Sequence, residues 1–269
     1  MMEEKNTLKG VEDTLYIPLI ARIYASEKFP KFFYDEKALS LKQYIPENSI
    51  EKNSIEYFYM ASVCRQHTID IKIKEFLNAE EQSNVVFLGC GLETAYNRIN
   101  NDKANFYQID LPNVIDIRER VLGNAKNEKL IKGDMFNIDW IKNIDTSLPS
   151  LIVVSGVFQY FEENKIVELI KQMKTLLPKG ELVFDATNSD GLKLANKYVK
   201  KTGNDDAKMY FSVDDPNAFA SMTGTKLISV SGFFSNALKQ CKGIKLKTRI
   251  YMYFADKWHR TLVVHLRFN

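Results

Sequence analysis

Cysteine, histidine and long apolar runs are all scarce in this 269-residue chain. The three cysteines, Cys64, Cys90 and Cys241, are widely spaced and form no CxxC pair. That excludes a disulfide framework and points to free thiols in a reducing, cytoplasmic setting. No segment reaches the roughly 18 apolar residues that a membrane span needs. The start, MMEEKNTLKG, is charged where a signal peptide would be apolar. The three histidines, His67, His259 and His265, are too dispersed for metal-ligand spacing, so no metal is expected. The 37 basic and 34 acidic residues are spread along the chain, and no long basic run tracks phosphates. Neither nucleic acid nor a membrane is therefore expected as a partner. A GxSxG elbow and a Ser-His-Asp order are missing too, which removes support for a hydrolase.

What is present is ordinary for a globular protein: 45% hydrophobic and 26% charged residues in 31.1 kDa. That length suits one large α/β domain, or one with a helical extension. From residue 84 the pattern alternates. NVVFL (84–88) precedes a helix near 92–101, and NFYQID (105–110) precedes NVIDIRERVLG, with Ile115, Val121 and Leu122 in a helical stripe. KLIKG is a short third strand. SLIVVS (150–155) suits a strand buried on both faces. EENKIVELIKQMKTLL follows, with Glu162 and Glu163 where a helix start favours negative charge. Lys179-Gly180 ends that unit, and ELVFDA (181–186) is a fifth strand. Repeated βα units with short links predict a doubly wound, mostly parallel sheet. Residues 1–80 read as a helical cap and 81–269 as the α/β domain. Within the latter, the polar segment of about 187–240 reads as a lid or insertion. The tail, LKTRIYMYFADKWHRTLVVHLRF, holds two β-rich runs around Ala-Asp-Lys-Trp-His, read as a C-terminal antiparallel hairpin.

The first strand stops at Gly89-Cys90-Gly91. Glycine there permits a tight turn and a close approach by a ligand, although such turns also arise for steric reasons alone. Asp110 ends the second strand, 19 residues after Gly91. A carboxylate at that place can accept hydrogen bonds from both ribose hydroxyls of an adenosine. Charge-assisted bonds of this kind contribute about 1.5–3 kcal/mol each. Asp134, in KGDMF, can receive an adenine amino group while the Met135 backbone addresses the ring; alternatively Asp134 only caps the next turn. A nicotinamide dinucleotide fits less well, because its fingerprint wants a third glycine where this chain has Thr94. S-adenosylmethionine (SAM) has no pyrophosphate, and its methionine end can lie over the glycine turn.

VVFLGCGLETAYNRI, FYQIDLPNVIDIRERVL, GDMFNIDW and VVSGVFQYF resemble the leucine carboxyl methyltransferase family, which includes bacterial O-methyltransferases of the polyketide (tetracenomycin) type. LGxGxxT and DLPxVI are the most specific pieces. VEDTLYIPLIARIYASEKFPKFFYDEKAL is similar to the family's opening helical region, and the resemblance spans roughly residues 10–190. It implies a class I SAM-dependent fold of the Rossmann-like kind, with S-adenosylhomocysteine (SAH) as product. It implies that Arg65, in CRQHTID, pairs with the methionine carboxylate of SAM, as planar guanidinium suits a carboxylate. The expected cofactor contacts are Arg65, Gly89, Cys90, Gly91 and Thr94, followed by Asp110, Leu111, Asp134, Met135 and Ser155. Two positions depart from the family: Glu93 replaces the usual Asp, and Ser155 stands where glutamate is common.

Methyl transfer from a sulfonium is an in-line displacement that depends on alignment and exclusion of water. A carboxylate acceptor, with a pKa of about 4, is already ionised at neutral pH; a phenol, near 10, would need a general base. His265 reads as a packed strand residue and His259 as part of the hairpin turn. His67 stands close to Arg65 in sequence but on another helix face. With no evident base, the expected acceptor is a small acid or polyketide-like molecule carrying a carboxylate, or an already acidic hydroxyl. Tyr160 and His67 are the candidates for its pocket. The aromatics near 29–34 and 57–59 serve either that pocket or the core. A SAM-binding protein without turnover is the alternative, and a NAD(P)-dependent oxidoreductase a weaker one. The oligomeric state is expected to be a monomer or a homodimer.

Overall fold

A computed structural model describes residues 15–45, 55–201 and 208–269. The charged start and parts of the expected cap (1–14, 46–54) and lid (202–207) lie outside the described residues. Among the described residues, three α-helices precede the sheet: α1 (Tyr16–Lys28), α2 (Glu36–Ser40) and the long α3 (Glu56–Ala79). Asp35 caps α2, its side chain accepting from the Ala38 N–H at 2.8 Å.

The alternating units then follow as β1 (Ser83–Leu88), α4 (Ala95–Ile99), β2 (Ala104–Asp110), α5 (Pro112–Leu122), β3 (Glu128–Lys132), β4 (Ser150–Val154), α6 (Glu163–Leu176) and β5 (Gly180–Thr187). Pro112 opens α5 where a missing N–H costs nothing. In α6, Ile166, Leu169, Ile170 and Met173 form the buried i, i+3, i+4, i+7 stripe, below Glu163 in the first turn. The rest comprises α7 (Ser189–Lys201), α8 (Pro216–Thr223), β6 (Lys226–Gly232), α9 (Ser235–Gln240), α10 (Leu246–Lys257) and β7 (Thr261–Arg267).

The seven strands order as β3-β2-β1-β4-β5-β7-β6. β1 to β5 are parallel, and β7 runs antiparallel between β5 and β6. Period-two alternation divides the core between the two faces. Val85 and Phe87 of β1 join the α3 side, while Val86 and Leu88 join the side covered by α6 and α8. Chain order reverses between β1 and β4. An open α/β sheet binds its ligands at the carboxyl ends of such a pair.

The sheet ends in the expected antiparallel pair, but its strands are 226–232 and 261–267. The run at 246–257, expected as the first arm of the hairpin, is the helix α10. Its alternating Tyr251, Met252, Tyr253 and Phe254 imitate a strand. Thr248, Met252 and Ala255, however, form a buried helical stripe. His259 follows this helix with a φ of +50°, in the turn that leads into β7.

Candidate functional site

β1 delivers the chain to Gly89, whose φ of +67° is left-handed and where a Cβ would sit 2.6 Å from the Val157 side chain. Only glycine therefore completes this turn. The Gly89 and Cys90 N–H groups donate to the Ile109 carbonyl at 2.9 and 3.2 Å, tying the turn to β2. Asp110 sits at the end of that strand. Its Oδ2 accepts from the Gly91 N–H at 2.7 Å and its Oδ1 from the Leu111 N–H at 2.8 Å. These two bonds orient the Asp110 carboxylate, whose two oxygens carry about four acceptor sites between them.

Buried arginines hold the turn from behind. Arg22 of α1 donates to the Leu92 carbonyl at 2.6 Å. Arg118 of α5 donates to the Glu93 carbonyl at 2.7 Å and the Gly91 carbonyl at 3.1 Å, and pairs with Glu128 at 2.7 Å. A cluster of three acids and two bases continues inward. Arg98 pairs with Asp35, Asp70 and Glu93, each at 2.8 Å, and Arg22 lies 3.1 Å from Asp35. Burial raises the carboxyl pKa of Glu93, but Arg98 and Arg22 outweigh it and hold the group down at about 2. At Asp70 burial wins over Arg98 and the pKa is raised.

Above the turn lies a cavity of about 540 Å³, within the usual range of small-molecule sites. Gly89, Cys90, Gly91, Asp110 and Leu111 line it, as do Asp134, Met135, Ser155, Tyr160 and Arg65. Asp134 lies at the rim. Its Oδ1 accepts from the Phe136 N–H at 2.9 Å, so it caps a turn and borders the cavity at once. Burial pushes the Cys90 thiol far up, against the pull of Arg118, and leaves it neutral.

Thr94 and His67 are not among the cavity-lining residues. The Thr94 hydroxyl donates to Asp35 and accepts from Arg98, inside the charge cluster. His67 packs on the Phe32 ring at 4.3 Å, with a pKa lowered first by burial and then by Lys74 and Arg98. Helical spacing from Arg65 carries it to another face. The aromatics Phe29, Phe32 and Phe33 are buried in the core, and Tyr57 and Tyr59 pack against that core.

Several residues of this site carry no local signal in the sequence. Arg65 reaches its place through Asp185 of β5, whose Oδ2 accepts from Arg65 Nη1 at 3.2 Å. The other oxygen of Asp185 accepts from the Gly156 N–H at 2.6 Å. Gly156 has a φ of +73°, and a Cβ there would stand 2.8 Å from the Arg65 guanidinium. Gln66 also lines the cavity and donates to Glu93 at 3.3 Å.

Four buried polar atoms in the cavity-lining side chains have no hydrogen-bond partner among the described residues: Arg22 Nε, which has only its ion pair with Asp35, and Arg65 Nε, Gln66 Oε1 and Ser155 Oγ. Buried groups of this kind normally find partners. A polar ligand with an anionic end at Arg65 and a diol at Asp110 would supply partners for the last three. The donors and acceptors thus fit the methionine end and the ribose of SAM, at the sheet end where the fold type takes its ligands.

Residues 12–174 match the leucine carboxyl methyltransferase family. The chain is 24% identical over 223 residues to the tetracenomycin polyketide synthesis O-methyltransferase of Streptomyces glaucescens, covering 82% of each chain. Among solved structures it is similar to a duf574 family protein from Streptomyces avermitilis, at TM-score 0.57 and 12% identity, covering 92% of this chain and 96% of that one. Magnesium protoporphyrin IX methyltransferase from Synechocystis, solved with SAH bound, matches at TM-score 0.51 and 11% identity over 93% and 98% of the two chains. The chain belongs to the leucine carboxyl methyltransferase family and is a SAM-dependent methyltransferase.

Proposed function

We propose that this methyltransferase acts on oxygen, and that the oxygen belongs to the carboxylate of a small organic acid. The observation that carries the reading is the state of the titratable groups around the cavity. Glu93, Asp110 and Asp134 each accept backbone hydrogen bonds, the Cys90 thiol is neutral, and no histidine lines the cavity among the described residues, which leaves Tyr160 and Lys165 as the other titratable groups on its wall. An acceptor that is already ionised needs no proton removed before it attacks the methyl carbon. SAM supplies the methyl sulfonium when bound. Arg65 then holds its carboxylate, Asp110 its ribose hydroxyls, and Asp134 with the Met135 backbone its adenine. Ser155, just past β4, donates to the cofactor or the acceptor. Tyr160 lies on the wall and borders the acceptor. The family's own description, a carboxyl methyltransferase, supports the same choice of atom, as does the O-methyltransferase of Streptomyces glaucescens. The compartment is read as cytoplasmic, supported by three buried, unpaired cysteines.

The test is turnover of methyl-labelled SAM with a panel of aromatic and aliphatic acids, alongside matched phenols. A carboxyl product is a methyl ester, which alkali hydrolyses to volatile labelled methanol. The rate should also be flat with pH above about 5, because the acceptor is fully ionised there. An alkali-stable product, with a rate climbing towards the phenol range, would transfer the assignment to a hydroxyl. SAH binding without turnover on either panel would favour a binding protein.

A further inference from the structure

α10 is built the wrong way round for a surface helix. Its inward stripe is the modest Thr248, Met252 and Ala255. Its outward residues include Leu246, Ile250, Tyr251 and Tyr253, followed just past the helix by Trp258; all are exposed, Leu246 by 75%. An amphipathic helix normally puts its larger apolar residues inward; here Leu246, Ile250 and Tyr253, spaced i, i+4 and i+7, share one exposed face, with Tyr251 turned aside towards Tyr57, and an exposed apolar face of this kind marks an interaction site.

The charge carried by the segment itself is one-sided, although Glu56 of α3 reaches its start, where it accepts from the Lys245 N–H at 3.0 Å and from the Tyr24 hydroxyl at 2.9 Å. Residues 239–260 contain seven lysines and arginines and a single acid, Asp256. That acid is engaged, accepting from the Phe234 N–H at 3.1 Å and the Ser235 hydroxyl at 2.8 Å. Three cations lie against the exposed rings: Lys247 by Tyr251, Lys257 by Tyr253, and Arg260 over Trp258 at 4.4 Å. The apolar face is therefore fringed by positive charge, and the one acid of the segment is already occupied.

We infer that this face is a peripheral docking surface for an anionic lipid bilayer. A second copy of the same face would bring like charges together. A nucleic acid could stack on the rings but has no use for Leu246 and Ile250, the aliphatic centre of the patch. A bilayer interface uses every part: aliphatic side chains enter the acyl boundary, Trp and Tyr rings sit at the headgroups, and lysines meet anionic lipid. No helix among the described residues is long and apolar enough to cross a membrane, and this contact needs none. It departs from the expectation drawn from run length, because a 12-residue helix with one apolar face leaves no long apolar run.

The full chain provides its own reporter. Of the two tryptophans, Trp140 is buried and Trp258 exposed, so a change in polarity at the surface registers at Trp258. Vesicles of phosphatidylglycerol mixed into phosphatidylcholine should shift its emission to the blue and carry the protein down on sedimentation. Both effects should be reversed by salt and be absent with phosphatidylcholine alone. The double variant Leu246→Glu/Ile250→Glu changes only exposed positions and should lose roughly tenfold or more in vesicle binding. Failure of the wild type to bind anionic vesicles at low ionic strength would overturn the inference and leave an acidic protein groove as the partner. Equal binding by the double variant, or equal binding to neutral vesicles, would overturn it as well.

Discussion

A single missing Cβ at residue 156 decides where the Arg65 cation on the cavity wall can stand. Gly156 leaves room for the Arg65 guanidinium, and its N–H fixes the Asp185 carboxylate that the guanidinium meets. Gly156→Ala meets both a left-handed φ and a 2.8 Å contact, so Arg65 must shift. A displaced charge-assisted pair is worth about 1.5–3 kcal/mol, or roughly 10- to 100-fold in the KM for SAM. SAH calorimetry and steady-state kinetics should show this loss, with a smaller change in kcat. Unaltered SAH affinity would detach Arg65 from the cofactor. Gly89, Gly91 and Asp110 were legible in the sequence because a strand end, a turn and the next strand end mark their places. Asp185 and Gly156 were not, since Asp185 meets a residue 120 positions away and nothing local records that meeting.

At the scale of elements, the cluster of Arg22, Asp35, Asp70, Glu93 and Arg98 joins α1, the loop before α2, α3, the glycine turn and α4. Folded Glu93 releases its proton at about 2, against an ordinary 4.5. The stability it contributes is complete above pH 4.5 and is lost as pH falls towards 2. Asp70 titrates with the opposite sign: its raised pKa means that its contribution falls as pH climbs through the raised value. Chemical denaturation from about pH 5 downwards should therefore show a steep acid limb in the wild type and a shallower one in Glu93→Gln. Identical limbs would remove Glu93 from the account. The parallel strands were readable as compact apolar runs. β6 was not, because alternate exposure gives it a serine- and lysine-containing sequence inside a polar stretch. α10 was misread for the complementary reason, its aromatic residues lying on the side away from the core.

For the whole molecule, the alternation of strands and helices announced the sheet, and the sheet in turn announced which end would hold the ligand. The acceptor's surroundings are set by side chains gathered from distant elements, so the alternation is silent about them. The last strand has a further bearing. β7 lies between β5 and β6, antiparallel to both, through residues 261–267. Replacing Val264, fully buried between them, by Asp should leave an unpaired charge in the core at a cost of several kcal/mol. Size-exclusion chromatography should then find the protein aggregated. The same position imposes an order on biosynthesis. As the chain emerges from the ribosome, β1 to β5 can assemble in succession, whereas β6 is made with no strand to lie against. Its edge stays unpaired until residues 261–267 have also been made, so the sheet cannot close before β7 emerges, and the nascent chain is most exposed to misassociation in the interval between the two strands.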